Sequence, residues 1–238
     1  MLAQDVMITS ARTVEQRRSR PRLSDEAESY IRDLIMAGEL RPGQFIRQER
    51  VADFLGMSAT PVREGLLALR GDGFVTLEAR RGFVVSSLTS ADVGDLFWAQ
   101  ALIAGELAAR AVVNLNERDV SQLDQLQAEL TAHAKLAEYD EMQRINHLFH
   151  SRLNHVANSP KMAWLLSVSA RYVPRRFYST IEGWPDSSIQ DHLVLLRALH
   201  SGDAEAARLA MQKHIVHAGE LLAGHRERVA GSQLNAID

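Results

Sequence analysis

The residues that could do chemistry are histidines and arginines, and the chain keeps them apart. All nine histidines fall in the second half: His133, His147, His150, His155, His192, His200, His214, His217 and His225. There is no cysteine. That excludes a disulfide framework, a thiolate zinc finger, an iron–sulfur cluster and a cysteine nucleophile. Imidazole is the metal chemistry left. Asn146 and His150 stand at i, i+4, so they neighbour each other on one helical face. His192 and His214 lie on consecutive helical patterns joined by a Ser201-Gly202-Asp203 turn, ten residues before Gly202 and twelve after it. At about 1.5 Å of rise per residue, an antiparallel pair would bring them to a similar height. His192 precedes Leu195, Leu196 and Leu199 on an apolar stripe, while His214 shares its face with Ala207, Ala210, Met211, Ala218 and Leu221. Two buried imidazoles at one level need a shared partner, and a divalent metal satisfies both.

The arginines dominate the other end. Over the whole chain, 27 basic and 30 acidic residues leave a net charge of −3, which speaks against nucleic acid. The split along the chain says otherwise. Residues 1–88 carry 13 Arg and no Lys against 12 acidic residues, whereas the remainder is net acidic. Arginine presents a planar fork suited to phosphates and guanine edges. Arg12, Arg17, Arg18, Arg20 and Arg22 lie in a stretch without apolar period, so residues 1–22 read as a flexible basic arm. A chain of 238 residues can bury one large core or two modest ones. No apolar run approaches the ~20 residues of a membrane span, and no signal peptide is visible, which makes the cytoplasm the expected compartment.

These residues need elements to position them. Ser24 opens a helix with Ala27, Tyr30, Ile31, Leu34 and Ile35 on one face, and Gly38 ends it. A short helix over 48–55 turns Val51, Ala52 and Leu55 inward and closes at Gly56. Ser58 is the expected N-cap of a third helix, with Pro61 in its first turn and Val62, Leu66 and Leu69 inward. Phe74–Leu77 and Gly82–Val85 read as two strands around a tip at residues 78–81. Helix, helix–turn–helix and a hairpin with Arg80 and Arg81 at its tip make a winged helix-turn-helix over residues 23–88. From Thr89 a capping signal opens a helix carrying Leu96, Leu102, Ile103, Leu107 and Ala111. Further helices follow at roughly 117–137, 139–157, 160–180, 187–201 and 203–228. The fold class is mostly α: the winged helix-turn-helix, then an all-α bundle over 89–228 for effector binding and dimerisation, then a tail over 229–238.

The first module resembles the GntR family of bacterial transcription factors. The carriers are Gly38-Glu39-Leu40-Arg41-Pro42-Gly43, Val51 through Ser58, Thr60-Pro61-Val62-Arg63-Glu64, Gly73-Phe74-Val75 and Arg81-Gly82. The resemblance implies double-stranded DNA as partner, with Ser58, Thr60 and Arg63 contacting it from the third helix. Arg50 and the wing residues Arg80, Arg81 and Gly82 complete the expected contact set. Where the family usually has Arg this chain has Ala59, which shifts base reading toward Arg63 and the wing.

The second module resembles the FCD ligand-binding domain of the FadR-like branch of that family. Asn146-His147-Leu148-Phe149-His150 with Asn158, Asp191-His192, Ala198-Leu199, Gly202-Asp203, Ala206-Ala207, Met211 and His214 carry the likeness. In that domain an Asp and three His ligate a divalent metal. His150, His192 and His214 match the histidines, and Asn146 takes the Asp position, offering a carbonyl oxygen without charge. The implied metal is Zn, Ni or Mn. Ala101 and Gly105 stand where the family often has Arg and Glu, so Arg171, Arg175 or Arg176 would supply the charge for a small-molecule effector such as a carboxylate. The resulting expectation is a homodimeric, ligand-responsive repressor on a palindromic operator, acting without a membrane. A metal-sensing regulator is the alternative. A His-rich metal-dependent enzyme is disfavoured, because no Glu or Asp stands at general-base spacing.

Overall fold

Local sequence sets most of the N-terminal unit. The structure is a computed structural model that describes residues 22–172 and 181–234. Helix α1 (Leu23–Met36) buries Ala27, Ile31 and Ile35, and α3 (Ala59–Gly71) buries Val62, Leu66 and Leu69 against it. Gly65 lets the two helices meet: a Cβ there would lie 2.8 Å from the Glu28 backbone nitrogen. Between them α2 (Gln48–Leu55) stops at Gly56, whose left-handed φ of 66° suits glycine. Ser58 sits at the N-cap of α3 with extended backbone, but its side chain makes no capping hydrogen bond. This helix start is exposed, and water can satisfy its first N–H groups.

Strands β1 (Val75–Glu78) and β2 (Gly82–Val85) pair antiparallel, Val75 opposite Val85 and Glu78 opposite Gly82. Phe45 adds a single bridge to Val84, with Ile46 N–H donating to the Phe83 carbonyl at 2.9 Å. The sequence reading assigns no strand at Phe45, because one bridge is too short to show alternation.

The second module is helical throughout its described length. Its helices are α4 (Ser90–Asn114), α5 (Glu117–Lys135), α6 (Tyr139–Val156), α7 (Pro160–Ser169), α8 (Trp184–His200) and α9 (Ala204–Leu234). Reciprocal capping boxes at Thr89/Asp92 and Asn116/Asp119 start α4 and α5. Three boundaries differ from expectation. α7 ends at Ser169 in a 3-10 turn over 170–172, α8 begins at Trp184, three residues early, and α9 continues to Leu234. Of the apolar residues on α4, Leu102 is exposed.

Helices α4 and α9 run against each other. Gly105 and Gly219 set their approach. A Cβ on Gly105 would lie 2.6 Å from Gln212 Cγ and 2.9 Å from the Arg208 carbonyl oxygen, and one on Gly219 would lie 2.6 Å from Phe97 Cβ. This is a physical reason for glycine where the family often has Glu. By length and composition α4 is the one described helix that could cross a membrane, yet Ala104, Leu107, Ala108 and Ala111 are buried in the bundle core.

The two modules share a core rather than a loose linker. Phe97, Trp184 and Leu222 join the cluster that contains Ile31, Leu66 and Phe74. Tyr172 stacks on Phe74 with ring centroids 4.5 Å apart, and its hydroxyl donates to the Asp72 carbonyl. Arg226 on α9 donates to the Met36 carbonyl at 3.1 Å and to the Leu88 carbonyl at 3.0 Å. A guanidinium over the last carbonyls of α1 is favourable electrostatically.

Candidate nucleic-acid interface and metal centre

The N-terminal end of α3 projects Ser58, Thr60 and Arg63 into solvent, and Arg50 on α2 is exposed as well. A helix presented by this end is the geometry that enters a major groove. At the wing tip Arg80 adopts a left-handed φ of 68°, unusual for a residue with a side chain. Arg81 is exposed and pairs with Glu78 at 3.0 Å. Gly82 has φ 84°, and a Cβ there would lie 2.8 Å from the Phe45 ring. Glycine is therefore required at position 82 by the hairpin itself, whatever else its backbone does.

The other expected residues converge in the bundle. Asn146 and His150 sit one turn apart on α6, His192 on α8 and His214 on α9. One donor atom from each of the three histidines lies within 4.8 Å of the others. His192 is fully buried, stacked on Phe149 at 4.3 Å, and its Nε2 lies 3.3 Å from His150 Nε2. Its Nδ1 lies 2.9 Å from Gln127 Oε1. The Gln127 amide nitrogen contacts Thr131 Oγ1 and the Ile189 carbonyl, which fixes Oε1 as the acceptor. So Nδ1 of His192 carries the proton, and its Nε2 keeps the lone pair. Burial, reinforced by the neighbouring imidazoles, pushes His150 down to about 3 and holds His192 well below its ordinary value. Both rings are neutral at physiological pH and available as ligands.

Two atoms in this cluster lack partners. Asn146 is 6 % exposed and its Oδ1 accepts no hydrogen bond; His214 is 2 % exposed and its Nδ1 makes none. Asp191 Oδ2 lies 3.6 Å from that Nδ1 and 3.1 Å from His217 Nδ1. Burial raises the Asp191 carboxyl, but the two histidines lower it further, so it stays below the usual carboxylate range. A buried amide oxygen without a partner is costly, and a cation shared with the three neighbouring imidazoles would satisfy it. The donor set fits a divalent metal.

The expected effector arginines are placed elsewhere or fall outside the described residues. Arg171 pairs with Asp72 at 3.2 Å, after the end of α3, so its charge is engaged at the junction of the modules. Arg175 and Arg176 lie outside the described residues. A cleft of about 610 Å³ opens between α5, α6 and the start of α8, lined by Thr131, Lys135, Tyr139, Glu182, Asp186 and Ile189. Thr131 and Ile189 are the residues that hold Gln127, so the cleft reaches the support of His192. Gln127 escaped the sequence reading, and Asp191 entered it only as a carrier of the family likeness, with no role at the site. Gln127 did leave a signal, a polar residue between Leu123 and Leu130 on the buried stripe of α5.

Comparison with known proteins supplies the context for both sites. Residues 23–85 match the family model "Bacterial regulatory proteins, gntR family", and residues 95–217 match the FCD domain. The HTH-type transcriptional regulator McbR of Escherichia coli is 25% identical over 191 residues, 78% of this chain and 86% of its own. The HTH-type transcriptional repressor RspR of the same organism is 24% identical over 184 residues, 76% and 80% of the two chains. An uncharacterized HTH-type transcriptional regulator of Mycobacterium tuberculosis is 26% identical over 186 residues, covering 78% of this chain and 75% of the relative. Among solved structures, Escherichia coli McbR/YncC superposes with a TM-score of 0.66 at 24% identity, over 86% of this chain and 98% of that one. A GntR family transcriptional regulator from Pseudomonas syringae gives 0.50 at 22% identity, over 88% and 89%.

Proposed function

The chain belongs to the gntR family of bacterial regulatory proteins and carries an FCD domain, and on that premise we propose a ligand-responsive repressor whose bundle holds a divalent metal. It is a transcriptional regulator with a DNA-binding domain, not an enzyme. Ser58, Thr60 and Arg63 read the major groove, with Arg50, Arg80, Arg81 and the Gly82 backbone contacting the duplex around them. The repressor relative supports that sign of regulation. The protein works in the cytoplasm, where its DNA is.

The observation that carries the metal reading is the convergence of His150, His192 and His214, with the unpartnered Asn146 Oδ1 one turn from His150 on α6. These four side chains would hold the ion, Zn, Ni or Mn. When bound, the ion supplies a positive centre for an anionic oxygen ligand such as a small carboxylate. The residues do the rest: Gln127 orients His192, and Phe149 and Trp184 keep the site apolar. A homodimer accounts for an apolar surface: Trp98 is 61% exposed and Trp164 60%, with Leu102 and Leu165 also exposed beside them in sequence. Two symmetric α3 helices then meet a palindrome.

Metal titration into chelator-treated protein, followed by thermal unfolding with a panel of carboxylic acids, tests this. Zinc, nickel or manganese raises the melting temperature, and an acid raises it further only with metal present. No shift with any of the three ions defeats the reading. The enclosure of His192 and His214 favours one second reading, in which the metal is itself the signal. Binding to a palindrome selected by the protein from random DNA then follows metal alone.

A further inference from the structure

The metal set described above has a deficit. Asn146 and three neutral imidazoles bring no negative charge to a dication, and burying an uncompensated charge is expensive. Among the described residues one carboxylate comes within ion-pair distance of any of the three histidines, and it is Asp191. It precedes His192 in sequence but faces α9. Its Oδ2 is 3.6 Å from His214 Nδ1, and its side chain is largely buried. His217 Nδ1 lies 3.1 Å from the same oxygen and meets the carboxylate from its other side, with Ser187 Oγ 2.8 Å from that nitrogen. A separation of 3.6 Å is long for a hydrogen bond, so the link to His214 is electrostatic. It still favours the proton on Nδ1, which leaves Nε2 of His214 with the lone pair, as Gln127 does for His192.

We propose that Asp191 is the counter-charge of the centre: a positioning residue behind His214 that supplies from outside the ligand shell the negative charge Asn146 cannot give. The proposal rests on the metal reading, and two measurements separate their fates. Zinc affinity of the full chain is measured by competition with a chromophoric chelator for wild type, Asp191→Asn, Asn146→Asp and the double variant. Asp191→Asn weakens zinc about 10- to 100-fold, the range for outer-shell partners. Adding Asn146→Asp to it restores at least tenfold, because a carboxylate returns to the site by another route. A purely structural Asp191 would lower the melting temperature of the metal-free protein without that rescue. An Asp191→Asn variant within twofold of wild type, or a loss that Asn146→Asp does not recover, overturns the proposal.

The tautomer of His214 in the metal-free wild type is the second measurement, and it needs no variant to fold. Long-range proton–nitrogen NMR should place the proton on Nδ1; a proton on Nε2 overturns the pairing. A wild type that takes up no zinc defeats the metal reading, and the tautomer still decides whether Asp191 acts on His214.

Discussion

The α3 surface and the histidine cluster solve opposite problems. On α3 the interacting side chains are exposed and the hydrophobic face beneath them is complete, with Val62, Leu66 and Leu69 fully buried. In the bundle the interacting side chains lie in or against the core, and two of their polar atoms, Asn146 Oδ1 and His214 Nδ1, make no hydrogen bond. A surface reader can lose a side chain without losing its fold. A buried centre cannot be separated so cleanly from the stability of its host. The difference teaches where to expect each kind of defect: affinity alone at the arginines, affinity together with stability at the histidines.

The largest effect should come from His192→Ala with His214→Ala. Bound metal, assayed by elemental analysis, falls to background; full stoichiometry in the double variant refutes the site. The contrast predicts lower thermal stability as well, since two packed rings leave a cavity.

A pH series on the metal-free protein comes next. His150 and His192 are neutral when folded, with values far below the ~6.5 of an unfolded histidine. As pH falls from about 7, the unfolded chain takes up protons that the folded one refuses, so stability declines down to about pH 3. Urea unfolding at several pH values reads the slope, and a flat profile between pH 7 and 5 would contradict the neutral cluster.

Arg63→Ala sharpens the other side of the comparison. It should cost about 1–3 kcal/mol in DNA binding while leaving the melting temperature within experimental scatter. An unchanged affinity would mean that α3 does not enter the groove as drawn. Two glycines on one helix give the smallest and most discriminating pair. Gly105→Ala places a methyl against the α9 backbone and should cost about 1–3 kcal/mol. Gly94→Ala meets nothing within 4 Å and should gain about 0.4–1 kcal/mol. Melting curves that move in the same direction for both would dissolve the close α4–α9 contact.

Much of the architecture was readable because it is local. Gly56 at a helix stop, the Thr89/Asp92 box and the i, i+4, i+7 run of Val62, Leu66 and Leu69 each announce themselves within a few residues. Asn146, His150, His192 and His214 were readable through helical geometry and family likeness together. What escaped depends on distant partners. Gln127 meets His192 across 65 positions, and Arg171 meets Asp72 across 99, so no local pattern could pair them. Phe45 was missed for a different reason: a single bridge carries no periodicity.

The contact of Arg226 with the end of α1 gives helix α9 a mechanical meaning. His214 and Arg226 stand twelve residues apart on one continuous helix, a lever of about 18 Å. Tilting such a rod by 5° about the histidine moves its far end by roughly 1.6 Å, about half a hydrogen-bond length. Arg226 grips the Met36 and Leu88 carbonyls at that far end. A small tilt of α9 at the level of the imidazoles would therefore reach the DNA-binding module amplified, and the Met36 and Leu88 carbonyls would be its receivers.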